Sequence, residues 1–302
     1  MTAASEERFR RLSSQPLAVI GSGRGGLLGT FRQLGEIFAH REMLMLLIRR
    51  DLKSRYKDSV LGFLWTLVRP VTQLLIYYIA LGKFLGAERG IPDFAIYIYS
   101  GLTAYGLFSE ILSGGTASIV GNGGLIKKIY LPREVFPIAS VGAALFNFAM
   151  QLVVLLAATL LLGRFPLHPD LLYFIPAFLV IVTFGTALAL LLSAANVYLR
   201  DVQYLIEVLL LILFWASPIV YPWQTVNGVL GPSVLLDAYT NNPITLAVLG
   251  FQRAFWIGGH GTVVYPDDLF QRTWIEVLIG LVAIIGCQYV FARLQGNFAQ
   301  AL

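Results

Sequence analysis

PIASVGAALFNFAMQLVVLLAATLLL, Pro137–Leu162, runs for 26 residues without one charged side chain. At 1.5 Å per residue such a helix reaches about 39 Å, enough to cross about 30 Å of hydrocarbon. A helix on the surface of a soluble protein needs a charged or polar face. This one has no charged residue and too few polar ones for such a face, so its solvent is lipid. LLYFIPAFLVIVTFGTALALLLSAAN, Leu171–Asn196, repeats the pattern after a short break. Working outward, four more blocks of the same kind cover Val60–Gly82, Phe94–Ser113, Leu205–Val220 and Trp274–Ala292. The fifth in chain order is short if Pro218 cuts it. The expected fold is therefore an all-α integral membrane protein with six transmembrane helices.

Composition agrees. Of 302 residues, 57% are hydrophobic and 13% charged, against about 45–50% and about 25% in an ordinary soluble domain. The net charge of +5 resembles a nucleic-acid signal until its distribution is followed. Eleven of the 22 Lys and Arg precede Val60, and the others are thinly spread. A basic end flanking apolar spans is what cytoplasmic retention requires, so nucleic acid is not an expected partner. With the N-terminus inside, sixteen basic residues fall on the inner side and five on the outer, counting Lys83 at the edge. Both termini are thus expected in the cytoplasm of a cell with an inner (plasma) membrane. MTAASEERFRRLSSQP has no apolar core, so the first span is expected to act as the insertion signal. Cys287, the single cysteine, lies in an apolar run and excludes an internal disulfide.

Three regions hold segments too short or too basic to cross, the last of them two such segments. Residues 41–59 are expected to form an amphipathic interface helix, following a cytoplasmic segment over residues 1–40. Leu44, Leu47, Ile48, Leu52 and Tyr56 share one face, and Arg49, Arg50, Lys53 and Lys57 the other. Such a helix suits the plane of the inner interface. Residues 116–136 join spans two and three on the inner side, with LIKKIYLPRE at their centre. Val226–Ala238 and Pro243–Ile257 lie outside and are expected as interfacial or re-entrant helices. The six-span domain then covers residues 60–293, and 294–302 form a cytoplasmic tail.

Several patterns carry no chemistry. Gly21, Gly23 and Gly26 satisfy G-x-G-x-x-G, but about 35 further residues cannot complete a dinucleotide fold before the membrane. The stretch reads as a flexible link. No phosphate-binding loop of the form G-x-x-x-x-G-K-[ST] occurs, so the chain is not expected to hydrolyse ATP alone. His40, His168 and His260 are dispersed across both sides, which argues against a metal site. The acids of the outer loops show no catalytic spacing.

Charges inside spans say more, because each costs a few kcal/mol unless paired or hydrated. Arg69 lies about 14 Å into span one, just before Pro70. Either it faces a hydrated pathway and meets an anionic substrate group, or it snorkels to the inner interface. Glu110 is open to the same two readings. Arg200, Asp201 and Glu207 read as a cap holding two helix ends. Tyr77 and Tyr78 in span one, with Tyr97, Tyr99, Tyr105 and Phe108 in span two, exceed what an interfacial belt needs. They either pack the bundle or line a pathway whose rings would stack on sugars.

RRDLKSRYKDSVLGFLWTLVRP (Arg49–Pro70), GGLIKKIYLPREVFP (Gly123–Pro137), NVYLRDVQYLIE (Asn196–Glu207), and SPIVYP (Ser217–Pro222) followed by NNPIT with Arg253 resemble polysaccharide-exporting permeases of the ABC-2 transporter family. That group exports O-antigen, teichoic acid, capsule and mycobacterial galactan. The resemblance covers roughly residues 38–291. It implies a homodimer of permease chains with a nucleotide-binding ATPase subunit docked beneath each, so two copies in all. ATP and Mg would be bound by that partner and no cofactor by this chain. The ATPase contact would comprise Arg49, Arg50, Lys53, Leu125, Ile126, Lys127, Lys128, Ile129, Tyr130, Arg133 and Glu134. The cargo would be a polysaccharide on a polyprenyl diphosphate lipid. An ion-coupled transporter and a membrane-embedded glycan-modifying enzyme are the alternatives. The first should carry acids in mid-span; the second should alter its substrate covalently.

Overall fold

The structure, a computed structural model, describes residues 41–56, 65–128, 131–259, 261 and 263–302. Among these residues the regular structure is entirely helical. We number the helices in chain order. α1 is Arg41–Tyr56, and α2 is Trp65–Tyr77, which widens into a π-helix at Tyr78–Phe84. α3 is Phe94–Gly121, α4 the single turn Gly123–Ile126, and α5 is Val135–Leu161. α6 is Phe174–Tyr198, entered through a 3-10 turn at Pro169–Tyr173. α7 is Val202–Trp215, α8 Trp223–Leu230, α9 Val234–Thr240 and α10 Pro243–Phe255. α11 is Leu269–Leu294 and α12 Phe298–Ala301.

Val135–Leu161, Pro169–Tyr198 and Leu269–Asn297 are long and apolar enough to cross a membrane, and Val202–Trp215 is a shorter apolar helix. Several boundaries shift from the sequence expectation, α11 for one beginning at Leu269 instead of Trp274, and two have a clear physical reason. α7 ends at Trp215, because Pro218 cannot continue a helix. The carbonyl of Pro218 instead accepts hydrogen bonds from Tyr97 (3.2 Å) and Gln252 (2.7 Å), fixing the chain as it turns. α3 continues eight residues past Ser113. Gly114 and Gly115 do not break it, because they are where neighbouring helices come close. A Cβ on Gly115 would fall 2.4 Å from that of Ala189 in α6. The expected outer helix over 226–238 is divided at Gly231, whose φ of 58° ends α8. Ser233 and Asn242 then cap α9 and α10, accepting from the backbone N–H of Leu236 and Ile244.

α3 and α6 form the centre. α3 packs on α5 and α6, α6 also on α11, and α10 covers one end of both central helices. Small residues permit this closeness, as in membrane helix pairs generally. Apolar clusters close the two ends of the bundle. One gathers Leu47 of α1, Phe136 of α5, Val197 of α6, and Phe291 and Phe298 of the last segment. The other gathers Trp223, Leu236, Leu249 and Leu269. Phe291 and Leu269 lie at opposite ends of α11, so the two clusters do too.

Candidate functional site

The first cluster carries the basic residues. On α1, Leu47 is buried, Leu44, Ile48 and Leu52 are half-buried, and Arg49, Arg50 and Lys53 are exposed. The apolar face is thus pressed on α5, where Gly142 makes room: a Cβ there would lie 2.4 Å from Ile48. Met45 and Leu46 stay exposed, so the division of faces is incomplete. Arg50 donates to Asn122 at the end of α3 (2.6 Å) and pairs with Asp51 at 2.8 Å, tying α1 to the loop that follows. In that loop Leu125 and Ile126 turn half inward, while Lys127 and Lys128 are exposed. The half-buried Arg133 holds its guanidinium 5.6 Å from the Phe298 ring centre. Ile129 and Tyr130 lie outside the described residues.

Glu134 departs from the expectation of a contact residue. It is 3% exposed and points into the protein. One of its carboxylate oxygens accepts from Gln288 of α11 (3.2 Å) and from Gln295 just beyond it (2.9 Å). A carboxylate buried with two amide donors is a tie between the loop and the last helix. Sequence reading does not find Asn122, Gln288, Gln295 and Phe298, because a lone amide at a helix end or within an apolar span, and residues in a short tail, carry no periodic signal.

The aromatic residues of α2 and α3 divide into two sets. Tyr97, Tyr99 and Phe108 are buried within the chain at 1%, 2% and 4% exposure. Tyr97 meets Trp256 edge to face, with ring centres 4.7 Å apart. Tyr77, Tyr78 and Tyr105 are half-buried, and Arg69 is exposed. The Tyr105 hydroxyl donates to the Leu210 carbonyl of α7, and its ring meets Phe214 at 5.3 Å. Lys83 stands 5.4 Å over the Tyr78 ring and bonds Glu88 at 2.8 Å.

Beside the half-buried set runs a polar seam that sequence reading did not assemble. Along α3, Tyr105, Ser109, Glu110 and Ser113 are all half-buried at helical spacing. Across from them, α5 presents Ser140, Asn147 and Gln151, also half-buried. Asn147 donates to the Glu110 carboxylate. Gln151 lies against Gly106, and Ser140 against Gly114, where a Cβ would come within 3.1 and 2.5 Å of their oxygens. Glu110 is therefore held sideways by a neighbouring helix.

The turn between α6 and α7 is also held differently from expectation. Asp201 makes no side-chain cap, and Arg200, Asp201 and Glu207 are exposed. Asn196 instead donates to the Thr116 carbonyl at 3.1 Å, and Tyr198 to that of Leu294 at 2.6 Å. No group of three metal-binding side chains occurs among the described residues.

Residues 42–256 match the ABC-2 type transporter family. The chain is 31% identical over 225 residues to the O-antigen export system permease protein RfbA of Myxococcus xanthus, spanning 74% of this chain and 84% of that protein. A protein of the same description from Klebsiella pneumoniae is 27% identical over 266 residues, 86% of this chain and 96% of its own length. The polysialic acid transport protein KpsM of Escherichia coli is 24% identical over 241 residues, 78% and 89% of the two chains.

Proposed function

This chain belongs to the ABC-2 type transporter family, and from that premise we propose that it is the permease of an ATP-driven polysaccharide exporter. The observation that carries the reading is its likeness to O-antigen export permeases over most of their length. The cargo is a polysaccharide on a polyprenyl diphosphate lipid, moved from the cytoplasm to the outer side of the inner membrane. The chain crosses six times, with α2 and its π-helical extension, α3, α5, α6, α7 and α11 as the spans and both termini inside. α1 rests at the inner interface, and α8 to α10 cover the outer end.

The conduit forms between two copies. α7 favours this arrangement: it buries only Ile206 and Leu210 among its residues and leaves Tyr204, Leu205, Val208, Leu211, Ile212 and Trp215 exposed. Tyr105 packs on α7 through the Leu210 carbonyl and Phe214, and the cargo path runs past it, Arg69, Tyr77, Tyr78 and the Glu110–Asn147 seam. The seam supplies hydrogen-bond partners to sugar hydroxyls in an otherwise apolar bundle, and Arg69 offers a cation to the diphosphate. Tyr97, Tyr99 and Phe108 stiffen the wall from behind. The ATPase partner, which binds ATP and Mg, docks on the basic end. Arg49, Arg50, Lys53, Lys127 and Lys128 present a steering charge. Leu125, Ile126 and Arg133, set half into the protein, carry the movement to α5.

The test is reconstitution. The purified chain and its cognate nucleotide-binding protein in vesicles should move the lipid-linked glycan only with ATP. Movement driven by an ion gradient without the partner would favour a secondary transporter. A covalently altered glycan would favour an enzyme.

A further inference from the structure

At the end of the bundle away from Lys127 and Lys128 lies an open cleft of about 630 Å³. It sits at the start of α11, whose 26 residues set it about 39 Å from the other end. Its wall is prearranged. Arg253 of α10 lies 4.1 Å from the centre of the Tyr173 ring and 5.5 Å from that of Tyr265. Its guanidinium also reaches Asp170 at 3.5 Å. The 3-10 turn at Pro169–Tyr173 and the stretch before α11 thus hold one cation of α10 in one orientation. Asp267, Asp268 and Gln271 are exposed and line the same space. Phe270 adds an exposed ring set edge to face against Tyr173 at 5.2 Å.

The chemistry selects a ligand class. With Asp170 paired to Arg253, the lining keeps Asp267 and Asp268 in excess, and although Arg272 donates to the Asp267 carbonyl nearby at 3.1 Å, a phosphate or diphosphate is disfavoured. Carboxylates accept from two hydroxyls at once. Aromatic rings attract the weakly positive C–H edges of a sugar through their negative faces. The volume falls within the range of about 300–1,000 Å³ usual for ligand pockets. A mostly apolar molecule would cover the exposed Asp267 and Asp268 without offering them hydrogen bonds. A neutral, hydroxyl-rich chain fits them.

We propose that this cleft is a saccharide-binding site which takes sugar units of the glycan as they emerge on the outer side, and not its lipid diphosphate. The site rests on the orientation and cargo proposed above, and it lies apart from the conduit residues. It gives the emerging chain a foothold that opposes backsliding.

The test uses the complete complex with its ATPase in lipid nanodiscs. The probe is the lipid-free polysaccharide released by mild acid from the host cell's own envelope, and binding is read by saturation-transfer NMR. Wild type should bind it without nucleotide, and Asp267→Ala with Gln271→Ala should weaken binding about tenfold or more. Asp267→Asn, which keeps the shape, should weaken it a few-fold and guards against misfolding of the double variant. Binding unchanged in both variants, or absent in wild type, overturns the cleft. ATP-driven export by the wild-type complex is measured in parallel. Its failure overturns the exporter reading, and it leaves the variant-dependent binding result to stand or fall separately.

Discussion

Replacing Glu134 with Ala should loosen the last helix from the loop that precedes α5. The side chain is 3% exposed, and one oxygen takes both amides, at 2.9 Å from Gln295 and 3.2 Å from Gln288. Hydrogen bonds to a carboxylate are worth about 1.5–3 kcal/mol each. Two of them would give about 3–5 kcal/mol, with the longer bond counted at the low end. Removing the carboxylate also relieves the cost of keeping it out of water, which offsets part of that sum. Gln288 is fully buried and cannot turn to solvent, whereas Gln295 can. A net loss of about 2 kcal/mol follows, or roughly a 30-fold rise in the population with the tail released. Protease cleavage within residues 295–302, under conditions where reclosing is fast, reads that population directly. A double-mutant cycle with Gln295→Ala should return a coupling of about 1 kcal/mol or more. Cleavage within twofold of wild type, or a coupling near zero, would refute the tie.

Charge reversal at Lys127 and Lys128 should weaken co-purification with the ATPase subunit about tenfold or more without changing the helical content; undiminished co-purification would remove them from the docking surface. Arg69→Met should stop glycan export in vesicles while the dimer still assembles, since Arg69 is exposed and supports no contact of the core; normal export would take it out of the pathway. Gly115→Val puts side-chain atoms where a Cβ alone would fall 2.4 Å from Ala189. It should cost about 1–3 kcal/mol by overpacking, seen as a lower thermal midpoint, and an unchanged midpoint would show that α3 and α6 can separate freely.

The sequence reveals most where one physical constraint acts alone. A bilayer tolerates only long apolar helices, so α5, α6 and α11 were visible from composition to within a few residues at most ends. It reveals less where two constraints share a residue type. Gly114 and Gly115 resemble the end of a helix, yet they are small because Ser140 and Ala189 approach there. The tyrosines show the same ambiguity. Tyr97 and Tyr99 are two positions apart and so point to different sides of α3. Both are buried only because that helix is enclosed by α5, α6 and α10, which no local pattern states. Spacing does carry a signal for the seam: Ser109 and Ser113 are four residues apart, as are Asn147 and Gln151. Each pair is unremarkable alone. Their pairing across α3 and α5 gives them meaning, and it depends on which helices are neighbours. Glu134 is the sharpest case. A carboxylate beside Arg133 in a basic loop reads as surface, and only the two glutamines arriving from more than 150 residues away turn it inward. The cleft at the start of α11 has the same origin, since Asp170, Arg253 and Tyr265 belong to three segments that meet only in the folded chain. Residues whose roles arise from such meetings are the ones where single substitutions test the assembled structure and not merely the helices.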